Sequence, residues 1–144
     1  MLLTAKILLT LATLGYSAIP GIFDFNETHA TNPSFVGHAR FHIVWQVSSY
    51  IYIGLLALVL IWTAGSDTRP LWLATLLAAF AYGGFWTAVF TRGLYAGTLV
   101  SEVNPVPTFN WNVFGWRFQT DANISLFTPT TIFVGLGALA LSQA

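Results

Sequence analysis

Four long apolar segments, separated by polar stretches, constrain how this chain can fold. They cover about residues 2–23, 38–64, 71–99 and 125–143. A helix needs about 20 mostly apolar residues to cross the hydrocarbon core of a bilayer, and each segment is close to or above that length. Only 7% of the side chains are charged, against about 25% in soluble domains. The sequence therefore predicts an all-α integral membrane protein, with residues 1–144 forming a single bundle of four transmembrane helices.

The first segment has a second interpretation, because a cleavable signal peptide is also apolar and N-terminal. Its one charged side chain, Lys6, lies near its start, where the long stem can reach the interface. The apolar run continues past any small-residue cleavage site without a polar break. We therefore expect a retained helix.

Proline and glycine positions suggest where helices begin and where they touch. Pro70 suits the first turn of the third helix, and Thr128 followed by Pro129 is typical of an N-cap and the first helical position. Pro105 and Pro107 are expected to block regular structure early in the second long loop. Close helix packing is expected at six glycines, which are Gly83, Gly84, Gly93, Gly97, Gly135 and Gly137.

Four crossings place both termini and the 65–70 turn on one side of the membrane. The two long polar loops, 24–38 and 101–124, then lie on the other side, where they can meet. Lys6 and Arg69 are on the terminal side, while most of the acidic side chains are in the loops. We therefore expect cytoplasmic termini, although counting positive charges alone decides little here.

All three histidines fall between Asp24 and Gln46, at the end of the first segment and the start of the second. His38, His42 and Gln46 share one face of the second helix, because residues four apart are neighbours on a helix. A histidine is disfavoured against lipid, so this polar stripe is expected to face the bundle interior. Acidic side chains in the preceding loop are then expected within reach of His38 or His42.

Three interpretations of this cluster stay open. In the first, the histidines have a structural role and tie the loop to the helix through hydrogen bonds. They could form an acid–base site, with His38, His42, Glu27 and Asp24 as catalytic residues. They could also bind a divalent transition metal through His29, His38 and His42, because imidazole suits zinc, iron and copper. Acid–base chemistry itself requires no cofactor.

Arg92 is the second polar outlier, since a third helix that continues to about Leu99 places it two turns below the loop-side interface. An arginine at that depth is costly and is expected to face a carboxylate or a bound anion. Trp86, midway along the same helix, is either core packing or a pocket wall. The predicted substrate-binding residues are Arg92, Gln46, Trp86, Arg40 and Glu102.

The layout of the first two helices resembles the small sterol-isomerase and sigma-2-type membrane proteins. The resemblance consists of Asp24 at the end of the first helix and the pair His42 and Gln46 in the second. It covers about forty residues, and the last two helices carry no further motif of that family. No catalytic residue is therefore assigned from it.

The leading functional hypothesis is a membrane enzyme, isomerase-like or cyclase-like, that acts on a membrane lipid or another hydrophobic small molecule. The competing hypothesis is a non-catalytic accessory subunit of a larger membrane complex; a homo-oligomer is also compatible with the sequence. A formal net charge of zero argues against a nucleic-acid partner. The absence of cysteine excludes disulfides, thiol nucleophiles and sulfur metal ligands.

Overall fold

The computed structural model describes residues 1–100, 103 and 105–144, and these residues are mostly helical. The described part contains five α-helices, one 3-10 turn and one β-hairpin. The helices are α1 (Leu2–Tyr16), α2 (Ala18–Phe23), α3 (Gly37–Thr63), α4 (Arg69–Thr91) and α5 (Ala122–Ser142). The 3-10 turn covers Arg92–Leu94, and the hairpin strands are β1 (Thr108–Val113) and β2 (Trp116–Asp121).

Four helical spans are long and apolar enough to cross a membrane, judged by length and composition. They are Leu2–Phe23, Gly37–Thr63, Arg69–Leu94 and Ala122–Ser142. Each coincides with one of the predicted apolar segments, so the expected number and order of long helices is confirmed. The first, third and fourth spans differ from the prediction.

The first span is not one continuous helix, because it is interrupted at Ser17 between α1 and α2. Pro20 lacks the N–H that would bond to the carbonyl of Tyr16, and its ring crowds that carbonyl. The Ser17 hydroxyl donates to the Thr13 carbonyl oxygen at 2.7 Å and occupies part of the broken turn. A helix break at a proline is the expected physical result.

The third span ends earlier than predicted, at Thr91 followed by the 3-10 turn rather than at about Leu99. The Gly97 N–H donates to the Arg92 carbonyl at 2.8 Å, and Ala96 has a positive φ of 55°. Such a left-handed residue closes the end of a helix. Arg92 therefore follows the last α-helical residue instead of lying two turns inside the helix.

The fourth span begins at Ala122, so the predicted N-cap at Thr128 is wrong. Asp121 is the N-cap, and its carboxylate accepts from the backbone N–H groups of Asn123 and Ile124 at 2.8 and 3.1 Å. These bonds satisfy two of the free donors at the start of the helix. Pro129 lies inside α5.

The second long loop contains a β-hairpin that the sequence interpretation missed. β1 and β2 pair antiparallel from Thr108 opposite Asp121 to Val113 opposite Trp116. Phe114 and Gly115 form the two-residue turn, with φ values of 50° and 87°. Turns with two positive φ angles match the twist of paired strands and favour glycine.

The core lies around α1, which packs against α3, α4 and α5. Helix contacts are close at two glycines that the sequence interpretation did not select. A Cβ added to Gly15 would lie 2.6 Å from the Tyr82 hydroxyl, and one added to Gly54 would overlap the Ser17 side chain. Among the six glycines predicted to pack, Gly137 does lie against another helix, and a Cβ added to it would lie 3.0 Å from Leu9 Cδ2. Gly83, Gly93 and Gly135 have no described side chain nearby that a Cβ would touch.

Candidate functional site

A cavity of about 810 Å³ lies at the loop-side end of the helices. Its walls come from α2 and the loop after it, the first half of α3, the second half of α4, β1 with the two residues before it, and the start of α5. Residues from both long loops therefore meet in one place. The volume falls within the usual range of about 300–1,000 Å³ for small-molecule sites.

Apolar side chains form most of the cavity wall, and polar groups are grouped within it. The apolar residues include Ile19, Phe23, Ile43, Val47, Phe85 and Phe127. The polar residues include Asp24, Asn26, Thr28, His29, Gln46, Tyr50, Asn123 and Ser125. Tyr50 also packs edge-on against the buried Tyr16 ring, with centroids 6.3 Å apart. A mostly apolar pocket with a few convergent polar groups is the usual form of a site for a hydrophobic ligand.

His29 and Asp24 form the ionisable pair of the cavity. His29 Nδ1 lies 3.5 Å from Asp24 Oδ1 and 2.8 Å from the Thr28 hydroxyl oxygen. Both side chains are partly exposed, at 32% and 27%. A short turn after α2 brings the two residues together, in which the Ala30 N–H donates to the Asp24 carbonyl at 2.9 Å.

Hydrogen bonds around Thr28 fix the tautomer of His29. The Asn26 amide oxygen accepts from the Thr28 backbone N–H at 2.8 Å, so this atom is the oxygen and not the nitrogen of the amide. It lies 2.6 Å from the Thr28 hydroxyl, which must donate to it. The Thr28 oxygen then accepts from His29 Nδ1–H, and the basic lone pair of the neutral imidazole is on Nε2.

Burial and charge act in opposite directions on Asp24. Partial burial raises the pKa of its carboxyl above the ordinary value, because a charged carboxylate is less well solvated there. The nearby His29 lowers the same pKa by a smaller amount. An acid and a base therefore lie side by side in the cavity, with the acid more easily protonated than a free aspartate.

Gln46 and Tyr50 supply a second polar group from α3. The Gln46 side-chain nitrogen donates to the Tyr50 hydroxyl oxygen at 3.3 Å, and both residues line the cavity. Gln46 therefore lies where the sequence interpretation expected it, at the cavity. Tyr50 was not selected, although it lies one turn further along the same face.

His38 and His42 do not face the bundle interior, so the expectation that they turn inward is wrong. Both are exposed on the outer face of α3 and neither lines the cavity. Ile43, Val47 and Tyr50 face the cavity instead, and this apolar contact sets the rotation of the helix. The described residues contain no group of three or more His, Asp or Glu that could hold a metal ion. The predicted set of His29, His38 and His42 is therefore not brought together.

The other predicted site residues are also outside the described cavity wall. The Arg92 guanidinium donates to the Val89 carbonyl oxygen at 2.7 Å, and that of Arg40 donates to the Asn32 carbonyl oxygen at 3.1 Å. Trp86 donates to the Thr131 hydroxyl at 2.9 Å and packs against the core. Glu27 is exposed, and Glu102 lies outside the described residues.

Sequence interpretation missed Asn26, Thr28 and Asn123 as cavity residues. Asn26 followed two positions later by a threonine is a turn-forming pattern in which the side chain bonds to the backbone ahead of it. That pattern was a usable signal for a structured turn beside Asp24. The position of Asn123, whose amide donates to the Leu99 carbonyl at 3.2 Å, depends on the unexpected early start of α5.

Comparisons of the chain with protein families, with curated proteins and with solved structures gave no match.

Proposed function

We propose that this chain is an integral multi-pass membrane protein with cytoplasmic termini. Four helices of sufficient length and hydropathy support it. The outward faces of these helices carry large apolar side chains, such as Leu55, Val59 and Phe80, that are each more than half exposed. Exposed apolar surface of this extent fits contact with lipid better than contact with water.

The proposed topology is testable with single cysteines, because the chain has none of its own. Ser34→Cys, in the loop before α3, and Asn112→Cys, in β1, are both at exposed positions and should react with an impermeant maleimide added outside intact cells. Ser66→Cys, in the exposed turn between α3 and α4, should react only after permeabilisation. Labelling of Ser34→Cys and Asn112→Cys from opposite sides would contradict a four-span topology, and the reverse pattern would contradict cytoplasmic termini.

The function that we propose is acid–base catalysis on a lipophilic small molecule bound in the cavity. The observation that carries it is the His29–Asp24 pair within a mostly apolar cavity of ligand size. Isomerisation or cyclisation by proton transfer needs one positioned base and one positioned acid. The site differs from the sequence-based proposal in its base, which is His29 instead of His38 or His42.

Each polar group has a role in this proposal. His29 Nε2 takes a proton from a carbon of the substrate, while Nδ1–H stays bonded to Thr28. Asp24, as the acid, returns a proton to a second position, and partial burial raises the pKa of its carboxyl. The proton that His29 has gained passes back to Asp24 through solvent before the next turnover, since both side chains are partly exposed. Gln46 and Tyr50 hydrogen-bond a polar end of the substrate. Gln46, Gly84 and Ala88 line the cavity and are exposed between α3 and α4, which suits entry from the bilayer.

Gly84 and Gly83 offer a matched test of the cavity. Gly84→Leu should place an apolar side chain in the cavity, because a Cβ there would lie 4.0 Å from the Tyr50 hydroxyl. Lipophilic molecules that co-purify with the protein, extracted and quantified by mass spectrometry, should fall by at least about tenfold, equivalent to about 1.4 kcal/mol of lost binding. Gly83→Leu makes the same change at a position outside the cavity wall with no described side chain within 4 Å.

The control variant should keep the wild-type content of co-purified molecules, and both variants should melt near the wild-type temperature in detergent. Equal retention by Gly84→Leu and the wild type would mean that the bound molecules are not in the cavity. Absence of any co-purified lipophilic molecule from the wild type would favour the accessory-subunit function.

That second function is favoured by the outer face of α3, where Phe41 and Trp45 are each 60% exposed. Large aromatic side chains of this kind are common in protein interfaces. A subunit of a larger complex would retain a protein partner through purification in mild detergent and would tolerate replacement of His29.

A further inference from the structure

His38 and His42 form a close pair on the outer face of α3, separate from the cavity. Their Nε2 atoms are 3.1 Å apart, and the two rings are nearly perpendicular, with centroids 4.5 Å apart. Both side chains are exposed. Phe41 and Trp45 pack against His42, with Trp45 nearly parallel to it at a centroid distance of 5.8 Å.

The separation of the two nitrogens fits a metal chelate. Zinc binds imidazole nitrogen at about 2.0–2.1 Å, and a tetrahedral arrangement then places two ligand nitrogens about 3.3 Å apart. The observed Nε2 separation is close to that value, so one ion can bind both nitrogens once the rings rotate to direct their lone pairs at it. Two histidines four residues apart on a helix are a known form of metal ligand pair.

Two histidines leave a tetrahedral ion half coordinated, and the described residues bring no third His, Asp or Glu to this pair. The missing ligands can come from a second copy of the chain. Copies inserted in a membrane with one topology can pair only about a two-fold axis along the membrane normal, because any other axis would invert one copy. Two α3 helices related by that axis place the His38–His42 pairs at the same depth.

Of the four spans, α3 is also the least buried within the chain. Only 17% of its most apolar stretch is buried, compared with 28–39% for the other three spans. We propose that His38 and His42 of two copies together bind one divalent transition metal ion, and that this ion stabilises a homodimer through the outer faces of α3. The symmetry step depends on the proposed membrane insertion, whereas metal binding by the histidine pair does not.

Metal content and mass in detergent test the site directly. The protein should be purified without a histidine tag, stripped with a chelator, reloaded with Zn²⁺ and freed of excess metal by gel filtration. We expect one Zn²⁺ for every two chains by atomic emission. Light scattering, corrected for detergent, should show a dimer with Zn²⁺ and a monomer after chelation.

Variants separate this site from the cavity site. His38→Ala and His42→Ala should each lose bound Zn²⁺ and the metal-dependent dimer, because one imidazole from each copy cannot hold the ion as a chelate. Both positions are exposed, and circular dichroism should show wild-type helix content. His29→Ala should keep the ion and the dimer.

Three outcomes would overturn the proposal. The first is wild-type zinc content no higher than that of His38→Ala, which would make the pair a simple hydrogen bond between imidazoles. The second is one ion per chain without dimerisation, and the third is a dimer that neither chelation nor His42→Ala affects.

Discussion

His29→Ala should slow proton exchange on the cavity ligand by at least about 100-fold, the usual lower contribution of a positioned base. The ligand recovered from the wild-type protein is returned to the purified protein in D₂O, and deuterium incorporated at carbon is followed by mass spectrometry. This measurement detects proton abstraction even when isomerisation leaves the mass of the product unchanged. The expected loss is large because Nε2 of His29 is the basic nitrogen left in the cavity by the Thr28 hydrogen bond.

Two further variants test whether the loss of exchange comes from removal of the base. His42→Ala removes an imidazole from the outer face of α3 and should leave the exchange rate unchanged. Asp24→Asn removes the proposed acid, so conversion to product should slow. Deuterium exchange at the carbon that His29 deprotonates should continue, because His29 Nδ1 stays bonded to Thr28. Wild-type protein that incorporates no deuterium, or His29→Ala that exchanges at the wild-type rate, would contradict acid–base catalysis at this site.

Hydropathy predicted the four spans because segment length and apolar content are local properties of the sequence. Helix ends were harder to predict, because they depend on single hydrogen bonds. Asp121 is followed by Ala-Asn-Ile, without the acidic or amide side chain three positions later that marks a capping box. The end of α4 depends on a turn at Ala96 and Gly97, where glycine was interpreted as a packing residue instead of a helix terminator.

The hairpin was missed because Pro105 and Pro107, which were expected to block regular structure, come just before it. Phe109, Trp111 and Val113 alternate with polar residues, which is the two-residue period of a strand. Phe114-Gly115 then lies where a two-residue turn is expected. Strand periodicity was therefore present in the sequence, but the two prolines favoured a loop.

Some of the residues that line the cavity were selected from the sequence, but the geometry of the cavity was not predicted. Asp24, His29 and Gln46 were selected, and the structure places all three at the cavity. The spacing of His38 and His42 established that they share a helix face, but it could not establish which face points inward. That choice is made by the packing of Ile43 and Val47, which depends on helices distant in the sequence.

Gly54→Ala should destabilise the protein, although alanine is normally better than glycine in a helix by about 1 kcal/mol. The added Cβ would overlap Cβ and Oγ of Ser17, at the break between α1 and α2. The Ser17 hydroxyl is held by its hydrogen bond to the Thr13 carbonyl, so it cannot move away without loss. Overpacking of this kind costs about 1–3 kcal/mol, and thermal unfolding in detergent should show a lower midpoint.

Gly135 and Ser17 provide the control and the rescue for that measurement. Gly135→Ala makes the same change within α5, where no described side chain lies within 4 Å, and should be neutral or stabilising. Ser17→Gly removes both atoms that the added Cβ of Gly54→Ala would overlap. The double variant Ser17→Gly/Gly54→Ala should therefore be more stable than the sum of the two single changes predicts, since the free-energy changes of residues in direct contact are not additive.

If Gly54→Ala melts at or above the temperature of Gly135→Ala, the α3 helix is not in close contact with the break after α1. The position of α2 beside α3 would then depend on contacts such as that at Gly21, where an added Cβ would lie 3.1 Å from Ile51 Cδ1.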